Sequence, residues 1–68
     1  MPVLIQGDNG EIVVTSEADN MPIAIYDLGG WLISTSTTND GITRVPVPSN
    51  EKMLIVKVGD KSVKVAIK

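Results

Sequence analysis

The sequence predicts an all-β protein, a seven-stranded antiparallel β-sandwich formed by one domain over residues 1–68, and three observations lead there. Nine Val, eight Ile and five Thr make 22 β-branched residues in a chain of 68, against three Ala and four Leu. Such side chains are stiff in a helix and comfortable on a pleated surface. Hydrophobic runs also recur about every eight to twelve residues between turn formers, the spacing of a sandwich or barrel. Finally, no run carries a convincing helical period of 3.6 residues.

The first run, Val3 to Gln6, is followed by the turn formers Gly7-Asp8-Asn9-Gly10, and Glu11 to Thr15 then alternates with Ile12 and Val14 on one face. Together they read as a hairpin. Pro22 heads the third run, where a missing N–H is tolerated, and Ile23 and Ile25 point one way while Ala24 and Tyr26 point the other. Asp27-Leu28-Gly29-Gly30 is a tight connection in which either glycine accepts positive φ. Trp31 to Thr35 is the fourth strand; the pattern is read with Leu32 inward and Trp31 covering one end of the core. The polar stretch Ser34 to Asp40, closed by Asn39-Asp40-Gly41, reads as a hairpin loop.

Ile42 to Val47 carries Pro46, with Pro48 beyond, so this strand lies at a sheet edge or leaves the sheet early. Met53 to Val58 buries Leu54, Val56 and Val58 and leaves Met53, Ile55 and Lys57 on the wetter face. After Gly59-Asp60, Lys61 to Lys68 turns Val63, Val65 and Ile67 inward and completes a terminal hairpin. The expected core is Ile12, Val14, Ile23, Ile25, Leu32, Val45, Leu54, Val56, Val58, Val63, Val65 and Ile67.

Composition limits the chemistry. With neither His nor Cys, the chain offers no Ser-His or Cys-His pair and none of the usual zinc ligand sets. Paired carboxylates permit glycoside hydrolysis in principle, yet a domain that buries only about 60% of its unfolded surface has little concavity for a sugar between them. The expectation is therefore a noncatalytic protein with no cofactor and no metal site. Asp8-Asn9-Gly10-Glu11 lacks the spacing of a calcium loop and reads as a turn, and Asp27 reads as an acceptor for backbone N–H groups of its own turn. A net charge of −2 and a pI near 4.7 argue against nucleic acid as a partner. The longest uncharged stretch, Leu28 to Asn39, is too short and too polar for a transmembrane segment. Met1-Pro2 lacks the basic and apolar regions of a signal peptide, so the chain reads as cytosolic or as cut from a longer precursor.

Charge is unevenly spread. Residues 1–40 hold six acids and no base, whereas residues 41–68 hold six bases and two acids. Lys57, Lys61, Lys64 and Lys68 are read as outward positions of the final hairpin. There they either steer an anionic partner or blunt an exposed edge. Trp31 and Tyr26 are the only aromatic residues, and they are the contact residues of an alternative reading as a carbohydrate- or protein-binding sandwich on a cell-surface enzyme.

The run Pro22-Ile23-Ala24-Ile25-Tyr26-Asp27-Leu28-Gly29-Gly30-Trp31-Leu32 resembles the strand and turn of C-terminal sorting domains in Bacteroidetes exported proteins, whose pattern is a hydrophobic strand, Tyr-Asp-x-x-Gly-Arg and another hydrophobic residue. The tail from Leu54 to Lys68 is similar to that family's Tyr-x-Val-Lys-Val strand, Gly turn and Lys-Val-x-Val-Lys finish, and Gly10-Glu11-Ile12-Val13-Val14 to its Asn-Gly-x-Ile-x-Val opening. Trp31 stands where that family has Arg or Gln, and Glu51-Lys52-Met53 where it has Gly-x-Tyr. The likeness extends equally to the C-terminal sandwich domains of gut Bacteroidetes surface proteins. In either case it implies an immunoglobulin-like module ending a larger exported polypeptide. Such a module is read by secretion machinery or a cell-surface component, in a type IX pathway or in surface attachment, without catalysis.

Overall fold

The computed structural model describes residues 2–67, which form seven antiparallel strands and no helix. They are β1 (Leu4–Asp8), β2 (Glu11–Thr15), β3 (Pro22–Tyr26), β4 (Leu32–Thr37), β5 (Ile42–Pro46), β6 (Met53–Val58) and β7 (Lys61–Ala66). Two sheets face each other, one ordered β1-β2-β5 and the other β4-β3-β6-β7. The molecule measures 30 × 22 × 16 Å.

Turn chemistry sets the hairpins. Asn9 and Gly10 both have positive φ, 54° and 78°, the conformation of a two-residue connection whose twist matches the flanking strands. Between β3 and β4, Gly30 takes φ 90°, and the Asp27 carboxylate accepts the Trp31 N–H at 3.0 Å, as its place before the glycines suggests. Pro46 lies in β5, an edge strand, where an absent N–H costs no ladder bond.

Cross-strand register decides which side chains meet. On the inner faces, Ile23 pairs with Val58 and Ile25 with Val56; Leu54 pairs with Val65, and Ile12 with Val45. These residues, with Val14, form the buried core, and Ile5, Ile33, Val47, Val63 and Ile67 pack against it half-buried. Val13 is also buried, although it lies on the outer face of the smaller sheet. It sits on the central strand between Gln6 and Arg44, and Arg44 reaches across to Glu11 at 3.4 Å, so long side chains flank it on both sides.

Three expectations are corrected. Leu32 is not in the core: it is 57% exposed, and Ile33 packs against the core instead. The register shift between β3 and β4 is the reason. Ile25 pairs with Ser34 but Tyr26 with Leu32, so Ile33 is an extra, bulged residue that reverses the in–out alternation on one side of it. Trp31 does not cover an end of the core either; it is 76% exposed, its ring lying over Gly29. The third correction concerns the stretch ending in Gly41. β4 extends through Thr37, and Thr38–Gly41 carries the chain from one sheet to the other instead of closing a hairpin.

That crossing is held by Thr38, which is 1% exposed. Its hydroxyl donates to the Ala18 carbonyl at 2.7 Å and accepts the Met21 N–H at 2.9 Å, while its backbone bonds Met21 and Asn20. Two of the three connections between the sheets, β2–β3 and β4–β5, are thereby tied to each other.

Candidate functional site

The outer face of the four-stranded sheet gathers most of the residues singled out from the sequence. One row across it is Leu32, Tyr26, Ile55 and Lys64; the next is Thr35, Ala24, Lys57 and Ser62. Met53 and Ala66 form a third. Tyr26 lies on this face because β3 alternates Ile23 and Ile25 inward, and Lys57 because β6 alternates Leu54, Val56 and Val58 inward. A shallow depression of about 180 Å³ runs between Pro22, Ala24, Tyr26, Lys57 and Gly59.

Lys57 and Lys64 are diagonal neighbours on adjacent strands, a spacing of about 7–8 Å in an antiparallel pair. None of the strand residues that turn outward on this sheet is an acid, so neither ammonium has a counter-charge in its own layer. Two like charges at that separation repel mildly and favour an anionic group set between them. The exposed carbons of Leu32 and Met53, and the half-buried Tyr26 and Ile55, supply an apolar floor beside them.

Two sequence-read residues fall elsewhere. Lys61 pairs with Val58 in the inner-facing register, not an outward one, since it shares the parity of Val63 and Val65. Standing at the strand's first position, it escapes burial by reaching around the rim, where its Nζ donates to the Val3 carbonyl at 3.4 Å. Trp31 sits on the turn before β4, apart from the rows that hold Tyr26. Lys68 lies outside the described residues.

A second feature is an open groove of about 690 Å³ along the flank where β1 and β7 lie side by side, lined by Val3, Ile5, Gly7, Lys61, Val63 and Val65 among others. Gly7 comes so close to the Ala66 carbonyl that no Cβ fits between them. Among the described residues, no group of three or more acids is placed to hold a metal ion. There is likewise no helix long and apolar enough to cross a membrane.

Of the apolar residues beside the lysines, Leu32 alone joins the site on tertiary grounds. The alternation of β6 had already put Met53 and Ile55 on the wetter face, but only the bulge at Ile33 brings Leu32 beside Tyr26. No family model, curated protein or solved structure matches the chain.

Proposed function

We propose that the chain is a noncatalytic module that routes or displays a larger exported polypeptide, read by secretion machinery or a cell-surface component through the outer face of its four-stranded sheet. The observation that carries this reading is the acid-free face on which Lys57 and Lys64 stand beside Tyr26 and Ile55. The final hairpin, whose sequence resembles the ending of Bacteroidetes sorting domains, supplies both lysines. An immunoglobulin-like arrangement is supported by the strand order: first, second and fifth strands in one sheet, third, sixth and seventh in the other. The fourth strand lies beside the third, where the constant-type immunoglobulin sheet would have it beside the fifth.

The test is charge reversal, Lys57→Glu with Lys64→Glu, in the full-length precursor in its own host. Both side chains are exposed, so folding is expected to survive, checked by urea unfolding of the isolated chain. Retention of the precursor inside the envelope is expected; delivery to the surface at the unmodified level overturns the reading.

Trp31, 76% exposed beside Leu28 at 58%, favours a second reading as an accessory carbohydrate- or protein-binding sandwich with Trp31 and Tyr26 in contact. Titration with polysaccharides that leaves the emission of Trp31 unchanged removes the carbohydrate arm.

A further inference from the structure

A strand at the edge of a sheet presents unpaired N–H and C=O groups, and folds protect such edges with charge, proline or a covering segment. Four strands are edges here: β1 and β5 of the smaller sheet, β4 and β7 of the larger. Three of them are protected. β1 and β7 meet where Gly7 lies against the Ala66 carbonyl and Lys61 bonds Val3, with the groove open between them, and both carry charge: Asp8 on β1, Lys61 and Lys64 on β7. β5 carries Arg44 and Pro46.

β4 has none of these devices. Its residues, Leu32, Ile33, Ser34, Thr35, Ser36 and Thr37, include no charge, no proline and no glycine, and three are β-branched. Among the described residues, no backbone bond reaches 32–37 from outside its ladder with β3. The bulge at Ile33 disturbs one end and leaves Ser34–Thr37 in regular register.

We propose that β4 pairs antiparallel with β4 of a second copy, joining two four-stranded sheets into one of eight strands about a two-fold axis. The occupant follows from charge. Two-fold pairing sets an edge opposite its own image, so any charge on it meets a like charge; β4 carries none, whereas β7 and β5 carry lysine or arginine. Ser34, Thr35, Ser36 and Thr37 bring hydroxyls of the kind that pair well across strands. The pairing uses the backbone edge of β4, whereas the proposed function rests on Lys57 of β6 and Lys64 of β7; the two share Leu32 and Thr35. Charge reversal at Lys57 and Lys64 leaves the edge itself intact, so the failure of one is distinguishable from the failure of the other.

The experiment is a concentration series to about 1 mM, followed by sedimentation equilibrium and by amide chemical shifts; a single strand pair is a small interface, with a dissociation constant expected at about 0.1–1 mM. A monomer–dimer equilibrium is expected, with concentration-dependent shifts confined to residues 31–37. Thr35→Lys with Thr37→Lys, both at exposed positions, sets like charges across the axis and is expected to weaken dimerisation at least tenfold without changing the monomer's spectrum. A monomer persisting at about 1 mM overturns the proposal. So do a dimer indifferent to the two lysines, shifts mapping to the Lys57 and Lys64 face, and open-ended growth.

Discussion

Replacing Thr38 by Val keeps the side chain's volume and removes only its hydroxyl, at a position that is 1% exposed. The Met21 N–H then loses its acceptor at 2.9 Å. The Ala18 carbonyl loses its donor at 2.7 Å and keeps only the longer contact from the Ser16 hydroxyl at 3.4 Å. One orphaned buried group costs about 1–3 kcal/mol, and the weakened carbonyl adds to it, so a loss of about 2 kcal/mol is expected. For a domain of this length the whole stability is about 3–10 kcal/mol. With a urea slope of about 1 kcal/mol/M, the midpoint is expected to fall by about 2 M. Thr38→Ser keeps the hydroxyl and removes a methyl, so its cost is smaller, about 1 kcal/mol. Urea unfolding followed by circular dichroism measures both. If Thr38→Val stays within about 0.5 kcal/mol of the parent, or Thr38→Ser is the worse of the two, the hydroxyl does not hold the sheet connections together.

Gly7→Ala carries a sign test. Its backbone does not lie in the left-handed region, so the unfolded-state entropy alone would make alanine stabilising by about 0.4–1 kcal/mol. The new Cβ, however, meets the Ala66 carbonyl, a backbone atom that cannot rotate aside, and a loss of about 1–3 kcal/mol is expected in the same urea assay. Stabilisation would show that β1 and β7 do not approach as described. The bulge is tested by comparing Ile33→Ala with Leu32→Ala: the first is expected to cost about 1–2 kcal/mol and the second to stay within about 0.5 kcal/mol. A reversed order would restore Leu32 to the core.

Much of the architecture was legible before any coordinates. The alternation in Glu11–Thr15 and in Met53–Val58 assigned inward residues that are indeed buried, because side-chain direction in a strand is a local property with a period of two. Pro46 marked an edge because a missing N–H is also a local fact. Asn9-Gly10 marked a hairpin through its own φ preferences. The lysine site was legible in part. Lys57 and Lys64 followed from parity; Lys61 shares the parity of Val63, and strict alternation would have placed it inward from the start.

The remainder depended on which strands met. An inserted residue is counted only against its partner strand, so the bulge at Ile33, and with it the places of Leu32 and Ile33, emerged from the pairing of β4 with β3. Asn39-Asp40-Gly41 signals a change of direction without saying whether the chain returns within its sheet or crosses to the other; packing chose the crossing, and Thr38 secured it. Composition and alternation by themselves determined that the strands make up this chain's regular structure and, outside β4, which side chains fill its centre, because those rest on each residue and its immediate neighbours. Sheet membership, the meeting of β1 with β7 and the edge position of the uncharged β4 were decided by contacts between strands distant in sequence, where the geometry of the partner, and not the residue alone, sets the energy.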